Sequence, residues 1–238
     1  MVAVHAGSDT YGRVKKVGST PVVTKFGMVS AFPLFPLESY YYAGEGNPQG
    51  IPFVYTSKAI YGLPLARLDT LSVLMAYARG IFGALTVAGF FYFIMLYIEW
   101  IGGNGRGPDA VALAMRNVLL LCLLVGVSGG LLTYLVPFQI THREMQIRSA
   151  CAEVLGISAD PANVRADIAH AILANISKQA QQNPIPRPAG VHESADKHRY
   201  LALQLVAVRA QIALGEEPES REIETDDLLR RISASEQT

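Results

Sequence analysis

Gly80-Ile-Phe-Gly-Ala-Leu-Thr-Val-Ala-Gly-Phe-Phe-Tyr-Phe-Ile-Met-Leu-Tyr-Ile98 contains no charged residue, and neither does the stretch from Asn117 to Thr141. A helix rises about 1.5 Å per residue and a bilayer core is roughly 30 Å thick, so about twenty such residues reach across. Each stretch has that length, and the pair predicts a transmembrane helical hairpin. The first helix is expected to start near Asp69 or Thr70, because residues 71–78 continue it without a breaker. Arg79 then falls at the inner interface, where its stem can lie along apolar surface while the guanidinium reaches headgroups. Glu99 and Trp100 mark the outer interface.

Working outward, the charges separate by region. Residues 1–68 carry six basic and three acidic groups, 69–140 three of each, and 141–238 eleven and fourteen. Binding nucleic acid needs clustered Lys and Arg, so this distribution argues against a nucleic-acid partner. Lys58, Arg67 and Arg79 precede the first span and His142, Arg143 and Arg148 follow the second, whereas residues 102–109 between them hold one Arg and one Asp. Positive residues stay cytoplasmic, which places both termini inside, in a bacterial cytoplasmic membrane by expectation. The first nine residues lack the basic start and apolar core of a cleavable signal peptide.

Three regions result: a cytoplasmic β unit over 1–68, the hairpin over 69–140, and a cytoplasmic helical region over 141–238 with a proline linker at 183–190. In fold class this is an α+β membrane protein. Within the hairpin, Gly80, Ala84 and Ala88 recur every fourth residue, and Gly126 and Gly130 do the same in the second span. Small residues at that spacing let helices approach closely, either the two spans on each other or copies of the chain in a homo-oligomer. Glu99 and Arg116 are expected to pair at the outer rim, with a proton or ion relay as the runner-up. Pro137 is expected to break or kink the second helix near the inner face.

The N-terminal region reads as short strands. Tyr11-Gly-Arg-Val-Lys-Lys-Val17, Val22-Val-Thr-Lys-Phe26, Glu38-Ser-Tyr-Tyr-Tyr42 and Ile51-Pro-Phe-Val-Tyr-Thr56 are rich in β-branched and aromatic residues and are separated by Gly and Pro. Nine aromatics fall between Phe26 and Tyr61, enough to fill a small β-barrel or to place rings at a headgroup layer. The string Ala31-Phe-Pro-Leu-Phe-Pro-Leu-Glu-Ser-Tyr40, with Val22–Phe26 before it, resembles a strand-plus-proline motif of uncharacterised bacterial membrane proteins. More loosely it is similar to the Phe/Pro-rich segment after some small zinc ribbons, whose zinc ligands this chain lacks. The resemblance covers roughly residues 11–45 and implies no activity. Pro33 and Pro36 deny backbone donors and suit an edge or bend. Phe32, Pro33, Phe35 and Pro36 are therefore a candidate edge for a docking partner.

Beyond the spans the pattern is helical. A helix from His142 to Leu155 should end at Gly156, and Asp160-Pro161 should cap another reaching about Gln181, with Val164, Ile168, Ile172 and Ile176 on one face. A third, near 194–214, should end at Gly215 and carries Leu201, Leu205, Val208 and Ile212. A short one should follow the acidic run at 216–224, whose carboxylates read as solvated. The last twenty residues are candidates for folding only on binding.

No chemistry-bearing constellation emerges. Cys122 and Cys151 are isolated thiols, His192 and His198 lack the spacing of a zinc protease helix, and the acidic run lacks the alternating ligands of a calcium loop. No catalytic residue, cofactor or metal ligand is assigned. The expected role is non-enzymatic, a membrane anchor or scaffold for protein partners. The alternative is a small homo-oligomeric transport or channel component.

Overall fold

The computed structural model describes residues 6–29, 32–51, 55–102, 108–130, 140–182 and 194–235. Four strands, β1 (Ala6–Val17), β2 (Thr20–Val29), β3 (Phe32–Ile51) and β4 (Tyr55–Pro64), close into a small barrel in the order β1-β2-β3-β4. Three neighbouring pairs are antiparallel, and closure is made by a short parallel ladder of Ala6–Ser8 on Tyr55–Ser57. The first three strands are longer than the sequence pattern indicates, because bulges interrupt the alternation from which strand length is read, and the fourth is displaced, since Ile51 ends β3 and β4 runs Tyr55–Pro64 where the pattern gave 51–56.

The bulges also change which way the side chains face. In β1 two register shifts each add one residue, and left-handed backbone appears beside them at Gly12 (φ 72°) and Lys15 (φ 47°). In β3, two extra residues opposite β2 are Leu37 and Leu34, set beside Pro36 and Pro33. β2 is buried on both faces from Thr20 to Thr24.

Six helices complete the described chain: α1 (Thr70–Gly102), α2 (Pro108–Gly130), α3 (His142–Leu155), α4 (Ala166–Gln182), α5 (Ser194–Ala213) and α6 (Pro218–Ser235). Gly156 closes α3 in the left-handed conformation, donating its N–H to the Ala152 carbonyl, as its position in the sequence indicates. Asp160 caps only a single 3-10 turn, Pro161–Asn163, rather than the whole of the following helix. The chain is drawn straight at Val164, which bridges Leu65 after β4, and α4 starts two residues later. α5 is buried on several sides, with Leu201, Ala202, Leu203, Leu205, Val206, Val208 and Ala210 all covered, because α3, α4 and α6 pack around it. Most of the acidic run belongs to α6, whose other side buries Thr225, Leu228, Leu229 and Ile232. The C-terminal segment is thus part of a packed layer.

The chain forms two compact units. One is built from Met1–Ser72 together with Gln139–Thr238, and the other is Val73–Phe138. The segments 1–68 and 141–238, expected as separate regions, accordingly share one unit, and 69–140 corresponds closely to an insertion within it. In the inserted unit, Thr70–Ile101 is the one described helix long and apolar enough to cross a membrane, and almost all of it is exposed; the described apolar part of α2, Ala110–Gly126, is shorter. The proline linker at 183–190 and Pro137 lie outside the described residues.

Candidate functional site

The first unit is held together by charges placed where hydrophobic residues would ordinarily sit. Arg148 on α3, counted in the sequence among the cations flanking the second span, is fully buried. Its Nε donates to the Ser158 carbonyl (2.8 Å), Nη1 to that of Lys15 (2.6 Å) and Nη2 to that of Thr20 (2.8 Å). The guanidinium lies 4.9 Å from the centre of the Tyr41 ring, and Glu144, one turn earlier, stands 3.7 Å from Nη1. Burial pulls the Arg148 pKa down, against the opposing charges nearby. A guanidinium whose three nitrogens are all occupied by protein carbonyls serves as a fastener between α3, the β1–β2 turn and the 158 loop. It is not positioned to bind a ligand.

A second buried guanidinium continues the network. Arg209 on α5 forms a two-pronged contact with Asp160, at 2.9 and 2.6 Å, and reaches Glu222 on α6 at 2.7 Å. Burial alone would lower its pKa, but the hydrogen bonds and charge of Asp160 and Glu222 outweigh this and hold it above the ordinary value. Asp160 also accepts from the Ala162 N–H and from Asn163, whose amide in turn donates to the Tyr41 hydroxyl at 3.4 Å. Burial pushes the Tyr41 phenol far up, with Asp160 adding to the effect, so it stays protonated. Arg143 binds Glu222 and Asp226 from the outer side. Although burial raises the Glu222 pKa, Arg143 and Arg209 together hold it below its usual value.

Beside this network the base of α1 is fastened to three strands. Asp69 caps the helix, its Oδ1 accepting from the Ser72 N–H at 2.8 Å while Oδ2 binds Lys15 Nζ at 2.6 Å. The Asp69 N–H donates to Ser39 Oγ (3.0 Å), Ser39 and Thr24 hydroxyls meet at 2.8 Å, Thr24 donates to Ser72 (3.0 Å), and Ser72 donates to the Tyr11 carbonyl (3.4 Å). With the Ser39 proton directed to Thr24, each hydroxyl gives once and accepts once. A Cβ on Gly12 would lie 1.9 Å from the Ser72 carbonyl oxygen, so only glycine permits this approach.

Between barrel and helices in this unit lies a cleft of about 450 Å³, with Lys15, Tyr41, Asp69, Glu144 and Asn163 in its lining. Lys15 and Asp69 in it pair with each other, Glu144 stands beside Arg148, and its phenol is held protonated. The residues that line it supply neither an activated nucleophile nor a proton acceptor set beside one. Elsewhere, His198 on α5 touches Ser235 Oγ through Nδ1 (3.1 Å) and Glu153 through Nε2 (3.0 Å). This has the composition of a nucleophile–base–carboxylate set, yet Ser235 Oγ also donates to the Ile232 carbonyl at 2.7 Å and lies buried at the end of α6. The arrangement joins α3, α5 and α6.

The residues singled out in the sequence are distributed differently. In the inserted unit, a Cβ on Gly89 would lie 2.2 Å from Cys122 Sγ, one on Gly129 2.4 Å from the Phe82 ring, and one on Gly126 3.4 Å from the Thr86 hydroxyl. Phe82, Thr86 and Gly89 thus form the packed face of α1, while Ala84 and Ala88 are exposed and Gly80 is half-buried. The side chain position of Gly130 lies outside the described residues. Arg116 is exposed and Glu99 is partly buried. On β3, Pro33 is buried against Met28, Pro36 pairs with Phe26, and Phe35 lies across Gly27 while more than half exposed; the Phe32 side chain lies outside the described residues.

Arg148, Asp160 and Arg209 escaped the sequence reading because nothing local separates a buried Arg from a surface one. The one available signal was Asp160-Pro161, read as a cap, which it is, but for a 3-10 turn that also holds a guanidinium. Among the described residues no group of three or more His, Cys, Asp or Glu side chains is placed to hold a metal ion. No family model, curated protein or solved structure matches the chain.

Proposed function

We propose that the chain is a non-enzymatic membrane anchor or scaffold, in which one compact barrel-and-helix unit is held at a bilayer by an inserted apolar hairpin. The observation that carries this reading is the joint folding of residues on both sides of the apolar insertion. Arg148 and Ser158, from after it, grip Lys15 and Thr20, from before it. Two segments that pack into one core must lie on one side of a bilayer, so an apolar insertion between them crosses an even number of times. The exposed surface of α1, with Ile81, Leu85, Val87, Phe90, Phe91 and Met95 bare, fits lipid as its solvent. A cytoplasmic face for the folded unit follows the flanking charges, although Arg148, being fully buried, adds nothing to them.

Within the folded unit, the hydroxyl chain from Asp69 to Tyr11 ties the first turn of α1 to β1, β2 and β3 shortly after β4 ends. A second reading, a homo-oligomeric transport component, is favoured by one observation: Ala84 and Ala88 are exposed, and a Cβ on Gly83 would meet nothing within 4 Å, leaving a small-residue face for another copy. Native extraction in mild detergent followed by mass and composition analysis separates the two. A stoichiometric second protein is expected; a ring of identical chains alone would replace the scaffold reading with the transport one.

A further inference from the structure

The cleft of about 450 Å³ between barrel and helices presents more hydrogen-bond donors than its own acceptors use, and all of its lining belongs to the unit of Met1–Ser72 and Gln139–Thr238. Tyr41 is 1% exposed, and its hydroxyl accepts from the Asn163 amide nitrogen at 3.4 Å. The same nitrogen donates to Asp160 Oδ2 at 3.1 Å, which fixes the amide so that its nitrogen, not its oxygen, faces the phenol. A hydroxyl both gives and takes. Tyr41 stays protonated, yet its O–H has no acceptor among the described residues.

The two carboxylates of the lining are already answered. Asp69 takes the Ser72 N–H on Oδ1 and Lys15 Nζ on Oδ2, and Glu144 stands 3.7 Å from Nη1 of the buried Arg148. Lys15 spends one of its three N–H groups on Asp69. Arg67, also in the lining, makes no ion pair and no side-chain hydrogen bond among the described residues. Its backbone is nonetheless pinned on both sides. Ala66 N–H donates to the Asn163 carbonyl at 2.8 Å and Asp69 N–H to Ser39 Oγ at 3.0 Å, so Arg67 and Leu68 are an exposed pair between two fixed points.

With Lys15 set against Asp69 and Arg148 against Glu144, the charge left over is the single guanidinium of Arg67. A guanidinium offers two parallel N–H groups that match the two oxygens of a carboxylate. A doubly charged group such as phosphate would meet Asp69 and Glu144 in the same wall, and like charges repel. Val22, Leu65, Leu68 and Ile212 supply an apolar wall, and small-molecule sites of about 300–1,000 Å³ combine such walls with a few placed polar groups. We infer that the cleft binds a small organic monocarboxylate, its carboxylate held by Arg67 and the Tyr41 hydroxyl and its apolar body lying against Val22, Leu65, Leu68 and Ile212. The site uses no residue of the apolar insertion and stands whether or not the anchor reading does.

The test is equilibrium dialysis of the full-length protein, in mild detergent, against radiolabelled benzoate and hexanoate. Saturable binding of one carboxylate per chain is expected, with each acid competing against the other and neither benzamide nor benzylamine competing. Arg67→Gln, on an exposed segment, should weaken binding about tenfold or more, and Tyr41→Phe should weaken it by a smaller factor. Arg230→Gln, on an exposed position of α6 outside the cleft, should leave it unchanged. Should Tyr41→Phe disturb the fold, Arg67→Gln decides alone. Absence of saturable binding, equal binding by the Arg67→Gln variant and the natural chain, or displacement by inorganic phosphate at lower concentration than by unlabelled benzoate would each overturn the assignment.

Discussion

The two units of this chain treat polarity in opposite ways. In the unit formed by Met1–Ser72 and Gln139–Thr238, guanidinium and carboxylate groups are buried and answered bond for bond: Arg148 by three carbonyls, Arg209 by Asp160 and Glu222. In Val73–Phe138, large apolar side chains stand exposed along α1. Both follow one rule, that a group is placed where its surroundings cost least. The contrast teaches that the first unit is specified by polar geometry, in which each atom has one acceptable partner, and the second by apolar surface and a few glycines, in which many residues are interchangeable. Substitutions should therefore divide sharply between the units.

The largest effect is expected at Arg148. Arg148→Met keeps the bulk but leaves the carbonyls of Lys15, Thr20 and Ser158 buried without their donor, and should cost about 3–5 kcal/mol in denaturant unfolding. Arg148→Lys should recover only part of this, since one ammonium cannot reproduce the guanidinium fork. A loss below about 1 kcal/mol for the Met variant would remove Arg148 from its place as the fastener of the unit.

Gly12→Ala comes next. It combines positive φ with a methyl group driven onto the Ser72 carbonyl, and about 2 kcal/mol or more of destabilisation is expected in thermal unfolding. In the other unit a matched pair sharpens the comparison. Gly89→Val meets the Cys122 sulfur and should lower thermal stability in detergent by about 1–3 kcal/mol, whereas Gly83→Val, facing open space, should stay within about 0.5 kcal/mol. Equal effects at the two positions would show that the packed face of α1 is misassigned.

How much of this was legible from sequence depends on whether the cause was local. The starts of α1 and α3 and the stop at Gly156 appear where the sequence places them, with Asp69 capping α1 and Gly156 closing α3. Three strands were located but shortened, because the bulges at Lys15, Leu34 and Leu37 take their form from neighbours distant in sequence, and the fourth was read at 51–56 where β4 runs Tyr55–Pro64. Gly80, Ala84 and Ala88 were singled out by spacing as a face for the second span or for another copy of the chain, and the α1 residues that meet Gly129, Gly126 and Cys122 are Phe82, Thr86 and Gly89, since small residues at fourth positions mark where approach is possible and not where it occurs. The joining of the N- and C-terminal segments into one unit was not legible at all. It depends on Arg148 and Ser158 meeting Lys15 and Thr20 across more than 125 residues, and no periodicity records that.

The smallest effect concerns acid. Arg143 and Arg209 hold the Glu222 pKa below its ordinary 4.5, so the folded state gains from this carboxylate at all pH values above that value. The gain is lost progressively as pH falls below 4.5 and through the folded value. Denaturant midpoints should decline in that window, and Glu222→Gln should flatten part of the decline; an unchanged slope would mean that the pairing with Arg143 and Arg209 contributes nothing to stability.

The most direct test of the joint-folding account is sided labelling of single cysteines in sealed vesicles. Lys16→Cys lies before the insertion, Arg230→Cys after it and Ala110→Cys at the start of α2, all at exposed positions, in a Cys122→Ala background. Cys151 is fully buried, and burial pushes its thiol well above the usual range, so it stays silent. The account predicts that a membrane-impermeant maleimide labels positions 16 and 230 from one and the same side and position 110 only from the other. Labelling of 16 and 230 from opposite sides would contradict it.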